Sequence, residues 1–251
     1  MKTILYSRPK FLTKRIIVKP YHQISIEDCG ERLIPIPPNS FSLKIPHPYA
    51  KLGAEYGDRS PYCLRQGVVQ ALLEAQFSIE KRFPGWKIEI HDAYRPVGVQ
   101  QYMLNYTFNS LVKELEIAED RLSAQQRQDL WGRVYRFWAA PSLDRKMPPP
   151  HSTGAAVDVT LVNDMGELLD MGGEIDELSE RSHPDYYVSD KDGDSQQYQF
   201  NRQLLYRAMS NAGFIRHPGE WWHFSLGDQM WAWLHNQQHP TDIQNARYGR
   251  V

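Results

Sequence analysis

Residues 151–161 read HSTGAAVDVTL, and the prediction of the fold starts from this stretch. The β-branched run after Gly154 predicts a strand, and the glycine allows a sharp bend just before it. His151 and Asp158 are seven residues apart, an odd separation that would place them on opposite faces of a straight strand. A bend at Gly154 removes this obstacle, so both side chains can face one cavity. Imidazole nitrogen and carboxylate oxygen are both good zinc donors.

A second stretch, residues 219–224, reads GEWWHF and is also predicted as a strand. Glu220 and His223 are three residues apart, so a bulge or a strand end would have to direct both towards one metal. Two histidines and one carboxylate fill three positions on zinc and leave the fourth for water or substrate, as in catalytic sites. Because zinc lowers the pKa of its water to about 7, a nearby carboxylate can accept the proton and pass it to a leaving amine. The candidates are His151, Asp158 and His223 as ligands, with Glu220 as the base.

The residues alone leave simpler interpretations open. The chain has nine histidines, so a pair of them is unremarkable. Asp158 could cap a turn, and Glu220 could pair with Arg216. Arg95, which follows a predicted strand and precedes a proline that disfavours helix, could form a surface ion pair.

The rest of the chain predicts an α+β fold: a single domain with a small, mainly antiparallel sheet flanked by helices. This domain is expected to cover residues 1–251, with residues 1–50 as an N-terminal wrapping segment of short strands and turns. Apolar spacing and the positions of glycine and proline predict the elements. We expect helices over residues 64–83, within 98–139, over 200–211 and after 228; a strand over 86–92; and loops over 141–150 and 170–198.

Composition gives no support to several classes of function. The 251 residues include 29 basic and 30 acidic side chains, so no strong field for nucleic acid or an anionic membrane is expected. No apolar run has signal-peptide length or approaches the roughly 18 residues of a membrane span, which favours a cytoplasmic protein. Cys29 and Cys63 form no Cys-x-x-Cys pair, which argues against thiolate zinc. Cys63 is expected to pack as a buried thiol, while a disulfide and the oligomeric state stay open.

Five stretches, in chain order, carry a resemblance to a known family. Residues 151–158 are similar to the His-x-x-Gly-x-Ala-x-Asp signature of zinc D,D-peptidases, and residues 220–223 match their Glu-x-Trp-His signature. Residues 63–65 (CLR), 92–96 (DAYRP) and 170–183 (DMGGEIDELSERSH) resemble further motifs of one subgroup, the D-alanyl-D-alanine dipeptidases. The likeness runs from about residue 60 to residue 235.

The resemblance implies a function and a set of roles. It implies one Zn²⁺ per chain and hydrolysis of D-Ala-D-Ala or a related small dipeptide. A D,D-carboxypeptidase acting on longer cell-wall peptides, or a non-catalytic zinc protein, is the alternative. The implied residues are His151, Asp158 and His223 for the metal, Glu220 as catalytic base and acid, Arg95 for the oxyanion, and Asp176 for the free amino group of the substrate.

The chain also departs from the family pattern. Two residues before the first ligand the family usually has serine, and two residues after it arginine; here these positions are Pro149 and Thr153. Residues 46–49 also differ from the stretch expected there. The zinc and base positions are intact, so we expect any difference to lie in the substrate pocket.

Overall fold

The computed structural model describes residues 19–251, so the first part of the predicted wrapping segment lies outside the described residues. The predicted extent of the domain, residues 1–251, therefore stays a prediction. The described residues form helices and strands in mixed order. The helices are α1 (Pro48–Lys51), α2 (Gln66–Arg82), α3 (Val97–Glu114), α4 (Ala124–Phe137), α5 (Gly193–Asn211) and α6 (Gln229–Gln238); the strands are β1 (Leu33–Pro35), β2 (Ser42–Leu43), β3 (Cys63–Arg65), β4 (Lys87–Asp92), β5 (Ala156–Val162), β6 (Ile215–Arg216) and β7 (His223–Ser225).

The main sheet has five strands in the order β2-β4-β5-β7-β6. Only the β2–β4 pairing is parallel, and the other three pairings are antiparallel. A separate antiparallel pair joins β1 to β3. The prediction of an α+β fold with a small, mainly antiparallel sheet is therefore confirmed.

Strand β5 runs through the middle of this sheet, and all seven of its residues are buried. Val157, Val159 and Leu161 belong to the main hydrophobic core, which α2 and α5 also enter. Because side chains alternate along a strand, Asp158 points to the opposite face of the sheet. The sheet thus separates an apolar core from a polar face, and the polar face holds the candidate site.

A second hydrophobic cluster is built by α3 and α4 together with Tyr49 and Trp138. The long helical pattern over residues 98–139 is two helices because α3 ends near Glu116, which has a left-handed φ of 54°. Ser123 then starts α4 with a capping box, in which its hydroxyl accepts a hydrogen bond from the Gln126 N–H at 3.1 Å. The left-handed Glu116 and the cap at Ser123 therefore separate α3 from α4.

Two predicted elements have clearly different bounds in the structure. The helix predicted over residues 200–211 begins at Gly193, within the stretch expected to be loop. The strand predicted over residues 219–224 is shorter and starts at His223.

Cys63 is only partly buried, and Cys29 is exposed; both are free thiols. Within residues 19–251, no helix is long and apolar enough to cross a bilayer.

Candidate metal centre

The three predicted ligands meet because of strand register and one glycine. Asp158 on β5 lies directly opposite His223 on β7, and such cross-strand neighbours share a face. His151 lies in a 3-10 turn over Pro150–Thr153 that leads into β5. Gly154 ends this turn with φ of 72°, so the bend predicted there is present. Two adjacent strands and one turn thus deliver a His–Asp–His cluster.

The geometry of this cluster fits a tetrahedral cation such as zinc. His151 Nε2 lies 3.1 Å from His223 Nδ1, and Asp158 oxygens lie 3.3 Å and 2.9 Å from these two nitrogens. Zinc bonds of about 2.0–2.1 Å at tetrahedral angles separate ligand atoms by about 3.3 Å. All three side chains are buried. Residues that are this close, buried and rich in lone pairs can hold a metal with little rearrangement.

The second nitrogen of His151 is held by the protein. Its Nδ1 lies 2.8 Å from the carbonyl oxygen of Ala93 and 3.2 Å from an Asp92 oxygen. This arrangement leaves Nε2 to face the cluster, the usual support for a metal-binding histidine. Asp92 is also 3.0 Å from His47 Nε2 and accepts a hydrogen bond from the Tyr56 hydroxyl at 3.3 Å. Several partners therefore fix the orientation of the ligand.

Arg95 joins two carboxylates that lie side by side on β4 and β5. Asp92 and Asp158 are register partners, so their like charges need a cation between them. The Arg95 guanidinium donates to Asp92 at 2.8 and 3.0 Å and to Asp158 at 3.4 Å. It also lies 4.8 Å from the ring of Tyr49 and 4.9 Å from that of Trp138. Arg95 is 5% exposed, so the interpretation as a surface ion pair is wrong.

This network sets the charge of the carboxylates. Burial opposes the charged form of Asp92, but Arg95 and the hydrogen bond from His47 hold its pKa well below the usual range. Burial likewise opposes charge on Asp158, and His151 and His223 outweigh it, which keeps that pKa low. Both acids are therefore anionic at neutral pH, and Asp158 can act as a charged ligand.

Glu220 lies at the edge of the cluster, in the turn before β7. Its carboxylate is 3.9 Å from His223 Nδ1 and 3.7 Å from His217 Nδ1. The strand begins only at His223, so the three-residue spacing does not separate the two side chains. Burial raises the pKa of Glu220 to about 7. Arg216 instead lies 3.9 Å from Asp185, so the Glu220–Arg216 pair is absent among the described residues.

Asp176 reaches the same cavity from the loop between β5 and α5. Its carboxylate accepts a hydrogen bond from the Tyr49 hydroxyl at 2.7 Å and lies 4.0 Å from His91 Nε2. Its φ of 65° is left-handed, a conformation that Asp tolerates better than most residues. Burial raises its pKa. An acid at this position can receive a cationic group of a ligand.

Sequence reasoning missed several residues of the site. Tyr49 bonds to both Asp176 and Arg95, yet residues 46–49 only appeared as a mismatch to the family. Lys19 and Tyr21 line the cavity from the N-terminal segment, and no pattern in the sequence pointed to them. The cavity is small, about 50 Å³. A larger groove of about 510 Å³, lined partly by Arg133, Arg136 and Gly219, lies outside the metal cluster.

Comparison with known proteins identifies relatives along nearly the whole chain. A family model described as D-ala-D-ala dipeptidase matches residues 43–245. A D-alanyl-D-alanine dipeptidase of Synechocystis sp. is 49% identical over 240 residues, which cover 93% of this chain and 97% of that protein. One of Escherichia coli is 45% identical over 76 residues, which cover 30% and 37% of the two chains.

Among solved structures, a vancomycin resistance D,D-pentapeptidase VanY mutant in complex with Zn(II) is 14% identical. It covers 76% of this chain and 88% of its own, with a TM-score of 0.43. A TM-score this low gives the likeness no weight for the present chain.

Proposed function

This chain belongs to the D-Ala-D-Ala dipeptidase family of peptidases, which confirms the resemblance, and we propose that it is a zinc enzyme that hydrolyses D-Ala-D-Ala or a related small dipeptide. One observation carries the metal part of the proposal. The ligand atoms of His151, Asp158 and His223 all lie within 4.8 Å of one another in a buried cluster. Two nitrogens and one carboxylate oxygen are the donors of an open zinc site.

Glu220 is the proposed general base and acid. Bound zinc would supply Lewis-acid chemistry, which activates water and polarises the peptide carbonyl. Glu220 would take a proton from the water and deliver it to the leaving nitrogen. A carboxylate suits both transfers when its pKa lies near the working pH, and burial raises the pKa of Glu220 to about 7. Its carboxylate lies 3.9 Å from His223 Nδ1, which supports a role for it beside a substrate bound at the cluster.

Arg95 is proposed to stabilise negative charge as it develops on the carbonyl oxygen. A guanidinium has five N–H donors. Four of these donors face acceptors. The Nε N–H donates to Asp92, and the two N–H groups of Nη2 face Tyr49 and Asp158. One N–H of Nη1 donates to Gln100. One Nη1 N–H has no acceptor among residues 19–251. The group is rigidly held, so its charge is already in place when the reaction begins.

Asp176 is proposed to bind the free amino group of the substrate. Its carboxylate lies at the Tyr49 side of the cavity, within reach of the Arg95 and Asp158 network. An ammonium there would be paired, whereas an N-acylated peptide would leave the buried acid without a cation. The difference between a free and an acylated amino group at Asp176 therefore favours hydrolysis of a dipeptide over hydrolysis of an internal bond in a longer chain.

Metal analysis and a substrate panel test this proposal together. We expect about one zinc per chain, loss of activity with a chelator, and recovery on zinc addition. D-Ala-D-Ala should be cleaved at least about 100-fold faster than N-acetyl-D-Ala-D-Ala, because the ion pair with Asp176 is lost. A protein that never binds zinc would exclude the mechanism. Equal cleavage of blocked and free peptides would reject the dipeptide assignment and favour the carboxypeptidase.

A further inference from the structure

The substrate proposed above carries a carboxylate as well as an amine, and the inference here rests on that proposed function. In a dipeptide the carboxylate is attached to the same carbon as the nitrogen that leaves. The base that protonates this nitrogen therefore lies close to whatever binds the carboxylate. The group that recognises the carboxylate should be a cation on the Glu220 side of the cavity.

Arg95 is poorly suited to this task. Its guanidinium already neutralises Asp92 and lies 3.4 Å from Asp158, and it is packed between the rings of Tyr49 and Trp138. Its one N–H without an acceptor among residues 19–251, on Nη1, is the donor already proposed for the carbonyl oxygen, so none is left for the carboxylate. Its position also links it to Asp176 rather than to Glu220, since Tyr49 bonds to both Arg95 and Asp176.

His217 lies on the correct side but does not supply a positive charge. It lines the cavity beside Glu220, with its Nδ1 3.7 Å from the carboxylate. Its Nδ1 accepts a hydrogen bond from the Gly219 N–H at 3.1 Å. An imidazole whose Nδ1 accepts a hydrogen bond is the neutral form, so His217 can donate one hydrogen bond from Nε2 but cannot neutralise a carboxylate.

Among residues 19–251, Lys19 is the remaining cation of the cavity wall. The residue is partly buried and lines the same cavity as Glu220 and His217. No carboxylate oxygen of the described residues lies within ion-pair distance of its ammonium. Burial lowers its pKa, and the carboxylate of Glu220 opposes that effect. A lysine without a close partner in a site lined by acids is available for a ligand anion.

The backbone holds Lys19 in this place. Its carbonyl accepts a hydrogen bond from the His22 N–H at 2.9 Å, and its own N–H donates to His22 Nδ1 at 3.2 Å. The short 3-10 turn that follows packs against α6, where Gln229 donates to the Ile24 carbonyl at 2.7 Å. The position is therefore part of the folded wall of the cavity.

We propose that Lys19 binds the carboxylate of the dipeptide, so that Lys19 and Asp176 recognise the two ends of a zwitterion in the cavity at the His–Asp–His cluster. Both side chains line the cavity at the cluster: Asp176 contacts Tyr49 and His91, and Lys19 belongs to the wall formed by the N-terminal segment. This polarity would orient the scissile bond between the two.

The test compares substrates with and without the carboxylate in wild type and in Lys19→Met. For D-Ala-D-Ala, we expect kcat/KM to fall about 10- to 100-fold, mainly through KM, because a charged hydrogen bond is lost. For D-alanyl-D-alaninamide, which has no carboxylate, the same substitution should change kcat/KM by less than about twofold. Lys19→Arg should keep most of the preference for the free acid. Lys81→Met, at an exposed lysine of α2, is the matched control.

Equal losses on the acid and the amide would overturn the proposal, because Lys19 would then act through Glu220 and not on the carboxylate. Unchanged kinetics on both would overturn it as well. A ketomethylene isostere of D-Ala-D-Ala binds without being turned over. Calorimetry measures its affinity as free acid and as amide. If wild type fails to cleave D-Ala-D-Ala, the proposed function falls, while the calorimetric comparison still decides whether Lys19 binds a carboxylate.

Discussion

At the scale of single residues, Glu220 is the side chain whose substitution separates chemistry from metal binding. Glu220→Gln keeps the shape of the side chain but cannot accept a proton, so turnover should fall at least about 100-fold. Zinc content should stay near one per chain, because Glu220 is outside the His–Asp–His cluster. Steady-state kinetics with metal analysis measures both quantities.

Glu114→Gln, at an exposed position of α3, serves as the control and should behave as wild type. If Glu220→Gln keeps full activity, the assignment of the base is wrong. If it loses its zinc, Glu220 is a ligand and not a base.

The three residues of the proposed metal cluster were more predictable from sequence than the rest of the cavity. His151, Asp158 and His223 have side-chain types whose chemistry is specific, and two motifs placed them in order. Tyr49 and Lys19 carry no such signal, since a tyrosine and a lysine occur everywhere on protein surfaces. Their place in the site depends on contacts between segments far apart in the chain, such as the 2.7 Å bond from Tyr49 to Asp176.

At the scale of elements, the turn between His151 and β5 requires a glycine. Gly154 has φ of 72°, and a Cβ built there would lie 2.2 Å from Leu33 Cδ2. Gly154→Ala therefore combines backbone strain with a clash against β1, and we expect a loss of about 2–4 kcal/mol in the free energy of unfolding. The displaced turn carries His151, so zinc affinity should fall as well.

Gly132→Ala is the matched control, because this glycine lies inside α4 and a Cβ there meets no atom within 4 Å. It should be neutral or stabilise by up to about 1 kcal/mol. Urea unfolding of both variants and zinc titration provide the measurements. A Gly154→Ala protein as stable as Gly132→Ala, with unchanged zinc affinity, would contradict the argument.

The same scale shows what limits prediction of the elements. Periodicity correctly placed α2 and β4, where apolar residues repeat along one face. It did not find the start of α5 at Gly193, because the first turns of that helix are polar and carry no apolar pattern. Strand β7 is only three residues long, because the chain just before it forms a turn. Glu220 lies in that turn, and its carboxylate lies beside the cluster.

At the scale of the whole molecule, Arg65 connects distant parts of the chain to the turn that carries His151. Its guanidinium donates to the Thr153 carbonyl at 2.9 Å, to the Gly249 carbonyl at 2.9 Å and to the Asp28 carboxylate at 2.8 Å. Its own N–H donates to the Gly154 carbonyl at 2.8 Å. Arg65 is buried, so it depends on Asp28 for its counter-charge.

This connection makes stability sensitive to acid. Burial opposes charge on Asp28, but hydrogen bonds from the Gly30 and Gly249 N–H groups, and Arg65, hold its pKa below the usual value. A folded-state pKa that is lowered gives stability that is present above the unfolded pKa of about 3.9 and is lost as the pH falls through the folded value. Asp28→Asn should therefore destabilise the protein by about 1–2 kcal/mol at pH 7, a modest amount because the carboxylate is partly exposed to solvent.

The difference in unfolding midpoint between wild type and Asp28→Asn should then narrow as the pH is lowered from about 5 to 3, since wild type loses the same contribution by protonation. Asp120→Asn, at an exposed acid in the turn before α4, should have the same unfolding midpoint as wild type at every pH. Urea unfolding across this pH range measures the effect. A difference that stays constant or grows at low pH would show that Asp28 contributes through its shape and backbone contacts, and not through its charge on Arg65.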